Sequence, residues 1–307
     1  MQNPTGLTSR QKILAYTALG ICILALSTSA IFIKYADAPG PVTGFYRMTI
    51  AAIILTPFAV FRLHKRKTIA RKNFYIPIAG GIFSGLDLGI WTIALGYTTA
   101  ANATILGNTA PLWVALGAML FFREKLMKRF WVGMLLAMAG AALIIGVDFL
   151  LHPSLGLGDT IALFTGMLYA GYYLTTELGR RTIDAVTYIW VVFVSASFTL
   201  FILNLFLGNP FTGYDQKTIA VFFATAIISQ LIGYLMSSYS LGHLPASVVS
   251  VTMIGQPIIT AIIAVPLLGE MPVPSQIIGG FIALAGIYLV NVSHEKKNNG
   301  PEQEPVT

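Results

Sequence analysis

Residues 95–143 align without a gap on residues 241–289, at a constant offset of 146. The identical pairs include Gly96/Gly242, Ala100/Ala246, Pro111/Pro257, Glu124/Glu270, Gly133/Gly279, Ala139/Ala285 and Gly140/Gly286. A chain that carries one segment twice folds each copy into a similar unit and packs the units together. The segment is apolar throughout, so it constrains the solvent as well as the fold. Duplicated apolar bundles are a common plan for transporters, because they can present one site to each side of a bilayer in turn.

Only 10% of the 307 residues are charged and 56% are hydrophobic. A soluble domain carries roughly 25% charged residues, so this chain cannot cover a water-facing surface of its size, and lipid is its expected solvent. The apolar runs fall at 13–34, 42–61, 74–96, 101–122, 130–148, 158–178, 186–206, 218–240, 246–268 and 275–293. Each is close to the roughly 20 residues that an α-helix needs to cross the hydrocarbon core. The first run exceeds the roughly 7–15 residues of a signal-peptide core, which predicts a retained first span. The expected fold is therefore an all-α integral membrane protein of ten transmembrane helices, arranged as a 5+5 repeat around a central cavity. Residues 1–12 form an N-terminal tail, 13–148 the first five-helix unit, 149–293 the second, and 294–307 a polar, disordered tail.

The basic residues set the orientation. Sixteen of the nineteen Lys and Arg side chains fall at one set of helix ends, Lys34 and Lys217 at the other, and Arg47 inside the second run. The positive-inside rule then places both termini in the cytoplasm. It also accounts for the net charge of +7 without nucleic acid, since these residues are topology signals spread over five segments. An offset of 146 residues contains five spans, an odd number, so the second copy runs opposite to the first. Glu124 is expected on the cytoplasmic side and Glu270 on the outer side.

Several chemistries lack their motifs. There is no G-x-x-x-x-G-K-[ST], no H-E-x-x-H and no Cys/His spacing suited to zinc. The four histidines are scattered at helix ends, and the single cysteine, Cys22, lies in an apolar run. No cofactor, no metal and no enzymatic role are expected.

The stretches ALGYTTAANATILGNTAPLWVALGAMLFFREKLMKRFWVGMLLAMAGAALI and YSLGHLPASVVSVTMIGQPIITAIIAVPLLGEMPVPSQIIGGFIALAGIYLV resemble the two copies of the EamA family in the drug/metabolite transporter superfamily. The matching elements are a mid-helix proline, a glutamate 13 residues on, and a following helix with Gly and Ala-Gly. FYRMTIAA at 45–52 resembles the arginine-bearing start of the family's second helix. The resemblance covers nearly the whole chain and implies ten helices in two inverted halves around a central cavity, with export or import of small metabolites. The first helix of each half matches the family more weakly.

Asp87 lies deep in the third run, where a carboxylate costs roughly 2.5–3.5 kcal/mol on insertion scales; such residues face protein or water rather than lipid. Gly81, Gly85 and Gly89 form a small-residue stripe suited to close packing. Asp87 falls about 200° from that stripe, on the side of Ser84 and Trp91. One reading makes it a cavity wall that holds substrate or a proton; the other makes it a buried partner for Arg47. Arg47 and Asp87 differ in expected depth by only about 6 Å, which predicts a pair, made directly or through substrate; an Arg near the outer interface could instead snorkel. Helix 8, the counterpart of helix 3, carries Gln230, Tyr234, Ser237 and Tyr239; at the offset of 146 Ser84 maps to Gln230, Asp87 to Gly233 and Trp91 to Ser237, so the polar face persists without the charge. Helix 6 adds Thr165, Tyr169, Tyr172, Tyr173 and Thr176 on one face, with Tyr169 and Tyr172 too deep for an interfacial belt.

Pro111 and Pro257 interrupt helices 4 and 9 at matched positions. Each frees a carbonyl four residues back, at Gly107 and Met253, with Asn108 and Gln256 as nearby donors. Breaks paired in this way either point to a midplane site or merely curve the helices. Glu124 and Glu270 are expected to be structural, anchoring loops at helix ends.

These residues read best as a secondary transporter in a bacterial cytoplasmic (inner) membrane. It would move a small metabolite, such as an amino acid or other zwitterionic or amphiphilic solute, by alternating access. Its partners would be that solute, the bilayer and, as a candidate for coupling, protons. The alternatives are an uncoupled channel or facilitator with the same cavity, and a membrane scaffold or enzyme that transports nothing.

Overall fold

The computed structural model describes residues 8–33, 35–65, 71–98, 100–145, 156–268 and 273–298. Glu270 and Lys34 lie outside these residues, as does the loop 66–70. Among the described residues there is no strand. In a bilayer core every backbone N–H and C=O must be satisfied within the protein, and a helix does this segment by segment. The first five spans are α1 (Ser9–Ile33), α2 (Gly40–Lys65), α3 (Tyr75–Ala94), a broken fourth span made of α4 (Ala100–Gly107) and α5 (Ala110–Phe121), and α6 (Lys128–Ile145). Then come α7 (Leu157–Arg180) and α8 (Ala185–Leu207). The eighth span joins α9 (Gln216–Ala224), a π-helix (Thr225–Tyr234) and α10 (Leu235–Leu241). The ninth joins α11 (Ala246–Thr252), a 3-10 turn (Met253–Gly255) and α12 (Gln256–Leu268), and α13 (Pro274–Asn298) is the last.

Among the described residues nine helical stretches are long and apolar enough to cross a membrane. The helix outside that set is α7: its Asp159, Glu177 and Arg180, with a run of Thr and Tyr, lower its hydropathy. Those polar groups are turned inward, with Thr165, Tyr172, Tyr173 and Thr176 all buried. α13 continues to Asn298, past position 294 where a disordered tail was expected to begin. The outward face is apolar, with Phe206, Leu120, Phe281 and Tyr288 all strongly exposed, as expected of helices that meet acyl chains.

The helix ends sort into two groups. At one end Arg62 pairs with Asp184 at 3.4 Å, Arg181 stacks over Phe122, and Arg180 donates to the carbonyls of Ser238 and Ile183. The ends of spans 2, 4, 6 and 8 meet there. At the opposite end Lys217 sits over Tyr35, Asp37 N–H donates to Thr218, and Asn204 donates to the Pro41 carbonyl. Asp184 and Asp215 cap α8 and α9 by accepting from Thr187 and Thr218 N–H.

Close helix contacts are made at glycines. The Gly81/Gly85/Gly89 stripe lies against α8: a Cβ at Gly81 would stand 2.5 Å from the Val192 carbonyl oxygen, and one at Gly89 would stand 2.2 Å from Leu203. On its other side α3 packs on α7, with the Phe83 ring over Gly171. Among the described residues the most extensive contact between helices joins α6 and α13, through Gly133, Gly140, Gly279 and Gly286.

Candidate functional site

With its glycines against α8, α3 turns Ser84 and Asp87 toward the interior of the bundle. Ser84 is buried, and its hydroxyl lies beside that of Tyr234. Trp91 continues this face and donates from Nε1 to the Ala103 carbonyl at 3.3 Å, which ties α3 to the first half of the broken fourth span.

Arg47 does not snorkel. It is 6% exposed, and its Nη1 donates to Ser29 Oγ of α1 at 3.2 Å. Asp87 is partly buried. Among the described residues no hydrogen bond, and no ion pair within 4.0 Å, reaches its carboxylate. The direct Arg47–Asp87 pair allowed by their similar depth is thus not made, because the guanidinium is turned toward α1. The two charges nevertheless act on each other, and both act on the Tyr234 hydroxyl. Similar depth was readable from the chain; the direction taken by a long side chain was not.

An aromatic column extends from this point. The rings of Tyr234 and Tyr172 are 5.4 Å apart, and Tyr172 stacks on Tyr169 at 6.0 Å with their planes 6° apart. The Tyr173 hydroxyl donates to that of Tyr169 at 3.1 Å. Gln230 is buried in the π-helix and donates to Met48 Sδ at 2.8 Å. Ser237, one turn beyond Tyr234, is buried against Cys22.

The two broken spans meet beyond Tyr169 and Tyr173. A cavity of about 30 Å³ there is lined by both tyrosines together with Asn108, Pro111, Ser250, Met253 and Gln256. The chain breaks at Asn108–Thr109 and again at Met253–Gly255, positions that the offset of 146 brings into register. Pro111 and Pro257 each occupy the second residue of the outgoing half-helix, α5 and α12, where a missing N–H does no harm. The Met253 carbonyl is satisfied differently from expectation: the Gln256 backbone N–H takes it. At the first break Thr109 donates from both its N–H and its hydroxyl to the neighbouring Leu106 carbonyl. The Gln256 side-chain amide reaches only Met253 Sδ, at 4.0 Å.

Glu124 lies apart from this cluster. It accepts from Ser247 Oγ at 3.0 and 2.9 Å, while Glu177 accepts from Ala246 N–H at 2.8 Å. Two carboxylates therefore meet the start of α11, where helix polarity favours negative charge. Glu270 falls outside the described residues. Reading the chain singled out neither Met48 and Ser29, which hold Gln230 and Arg47, nor the cavity residue Ser250, and it named Met253 only for the carbonyl that Pro257 frees. The repeat carried a signal for Ser250, which stands 146 residues after Thr104 beside the first break.

Helices of this length with a lipid-facing exterior, two matched broken spans, and an acid and a base buried in the interior define a multi-pass membrane protein of transporter type. The model of the EamA-like transporter family matches the chain twice, over residues 13–146 and 156–292, and the chain belongs to that family. An uncharacterized transporter of Archaeoglobus fulgidus is 28% identical over 91% of this chain and 97% of its own. A probable terminal-alkyne amino-acid exporter of Streptantibioticus cattleyicolor is 24% identical over 80% of this chain and 82% of its own. One solved protein structure shares the fold with a TM-score of 0.75, at 15% identity, over 92% of this chain and 98% of that one.

Proposed function

We propose that this chain is a secondary transporter that moves a small zwitterionic or amphiphilic metabolite, such as an amino acid, across the cytoplasmic membrane by alternating access. The observation that carries the reading is the Asp87 carboxylate. It lies deep in a span with no protein partner among the described residues, although the Arg47 guanidinium is near enough for their charges to interact. A pair that served assembly alone would be made directly, because an unpaired charge at this depth is costly. An acid and a base held apart suit a ligand with charges of both signs: Asp87 receives an ammonium group and Arg47 a carboxylate.

A water needs roughly 10–15 Å³ of such space, so the cavity of about 30 Å³ admits about two or three waters and no metabolite. Entry of substrate then requires the helices to part. The breaks at Asn108–Thr109 and Met253–Gly255 supply matched places for α5 and α12 to move relative to α4 and α11. In this reading the halves are inverted repeats, both termini are cytoplasmic, and the end carrying Arg62, Arg180 and Arg181 faces inward. The name of the exporter relative supports the amino-acid class.

Thermal-shift titration of the purified protein tests the substrate class, since a ligand that binds only the folded form raises its Tm. Zwitterionic amino acids are expected to stabilise the wild type and to lose that effect in Asp87→Asn. Stabilisation of both proteins alike, or by no zwitterion at all, would contradict the proposal.

A further inference from the structure

Gln230 is fully buried, and its two amide atoms are treated differently. The Nε2 is held by Met48 Sδ at 2.8 Å, while the Oε1 has no hydrogen-bond partner. A thioether only accepts, so Met48 fixes which amide atom stays bare. Met48 adjoins Arg47 in α2, and Gln230 precedes Tyr234 by four residues in the π-helix. The i→i+5 bonding of that helix widens the turn, so residues four and five apart share a face. The Gln230 amide and the Tyr234 hydroxyl are therefore delivered to one side of the eighth span, the side that meets α2. The Tyr234 hydroxyl lies beside that of Ser84 and within range of the charges of Arg47 and Asp87.

Two more buried atoms in this group have no partner, Arg47 Nε and Ser84 Oγ. Folded proteins leave few such atoms, and each calls for an explanation. Here they sort by chemistry. The Asp87 carboxylate and Gln230 Oε1 can only accept, Arg47 Nε can only donate, and the Ser84 hydroxyl can do either. Together they offer acceptors for several N–H donors and a donor for an anionic group, the two demands of a zwitterion.

We infer that Gln230 is a specificity-determining residue of this site: its carbonyl oxygen joins the Asp87 carboxylate in accepting hydrogens from a primary ammonium group, so that the site selects primary amines over N-methylated and quaternary ones. The inference rests on the zwitterion reading given above. A primary ammonium offers three N–H donors, enough for Asp87, Gln230 and one hydroxyl. A trimethylammonium offers none, and would leave the Gln230 carbonyl buried and unpaired beside its methyl groups. Sites built around a substrate N–H reject analogues that lack it far more strongly than apolar pockets reject a size change. The tyrosine column alone favours the reverse order, because aromatic faces hold quaternary ammonium groups well.

The test uses the full-length protein in detergent, with leucine and phenylalanine, their N-methyl derivatives and their N,N,N-trimethyl derivatives as probes, read by thermal-shift affinity. In the wild type, affinity is expected to fall along each series, by about tenfold or more from the primary to the trimethyl form, as for the loss of one good hydrogen bond. Gln230→Met, of similar volume but without the amide, is expected to shrink that ratio about fivefold or more with little change in the ligand-free Tm. An unchanged ratio in folded Gln230→Met overturns the inference, as does a wild type that binds the trimethyl forms as tightly as the primary ones. The wild-type series decides by itself if the variant does not insert. If the wild type binds no member of either series, the zwitterion reading falls with it. If the wild type binds them, Asp87→Asn abolishes binding, and the ratio is indifferent to residue 230, only the role of Gln230 falls.

Discussion

Gly140 and Gly279 face one another so closely that a Cβ on Gly140 would stand 2.5 Å from the Gly279 carbonyl oxygen, and one on Gly279 would stand 2.7 Å from that of Gly140. Seven residues away the relationship recurs: a Cβ on Gly133 would stand 2.8 Å from the Gly286 oxygen, and one on Gly286 would stand 2.5 Å from that of Gly133. Under the offset of 146, Gly133 corresponds to Gly279 and Gly140 to Gly286. Each glycine therefore touches the counterpart of the other, as across an isologous interface. As residue numbers rise along α6 they fall along the part of α13 that it touches, so these two equivalent helices are antiparallel. That is the contact two inverted halves make, and it supports the repeat as a physical arrangement.

The first prediction concerns that contact. Gly140→Ala places its methyl 2.4 Å from the Ala283 nitrogen and 2.5 Å from the Gly279 oxygen, and backbone cannot yield as a flexible side chain can. The substitution should destabilise the protein by about 1–3 kcal/mol. Gly20→Ala, where a Cβ meets nothing within 4 Å, should leave stability unchanged or slightly raised by better helix propensity. Thermal unfolding of both variants in the same detergent checks the contrast; equal Tm values would show that α6 and α13 are not so tightly apposed.

Asp87→Asn separates function from assembly. Breaking a buried ion pair by removing one partner costs about 3–5 kcal/mol, whereas removing a carboxylate that no protein group holds costs little. The variant should insert normally, keep a Tm close to that of the wild type and lose transport. A large fall in Tm would mean that Asp87 serves assembly.

Pro111→Ala and Pro257→Ala supply the N–H that the break lacks and favour a continuous helix at Asn108–Thr109 or Met253–Gly255. Each should leave substrate affinity within about twofold while slowing transport by about tenfold or more. Measuring binding and transport rate on the same preparation checks this; loss of binding with an unaltered rate would make the breaks part of the ligand contact instead.

A fourth prediction lies outside the membrane. Asp215, exposed at the start of α9, has its carboxyl held below the usual carboxylate range by its hydrogen bonds from Thr218. With the folded value depressed, the cap is at full strength above the unfolded value of about 3.9 and is lost as pH falls through the folded value. Amide exchange at Thr218 should therefore quicken on acidification below about pH 4. In Asp215→Asn that acid sensitivity should disappear; its persistence would assign the effect to another group.

Much of this architecture was legible in the chain because membrane helices write it in simple periods. The Gly81/Gly85/Gly89 stripe gave the face of α3 that packs, and so the opposite placement of Asp87. The matched prolines gave the two broken spans. Less could be read where a side chain has a choice of partner. Arg47 reaches Ser29 rather than Asp87 through rotamers that residue spacing does not encode. The π-helix at Thr225–Tyr234 has the composition of an ordinary span, and nothing in its residues marks the wide turn that packs against α1 and α2. The sixth span, α7, by contrast, was legible as the run 158–178, and Thr165, Tyr172, Tyr173 and Thr176 on its polar face are buried.

The most direct measurement is counterflow in proteoliposomes: uptake of a labelled zwitterionic amino acid, with and without the same amino acid unlabelled inside. A carrier with its site between Arg47 and Asp87 should show saturable uptake accelerated by internal substrate in the wild type, and none in properly inserted Asp87→Asn. Flux that neither saturates nor accelerates, or full exchange in Asp87→Asn, would contradict the account.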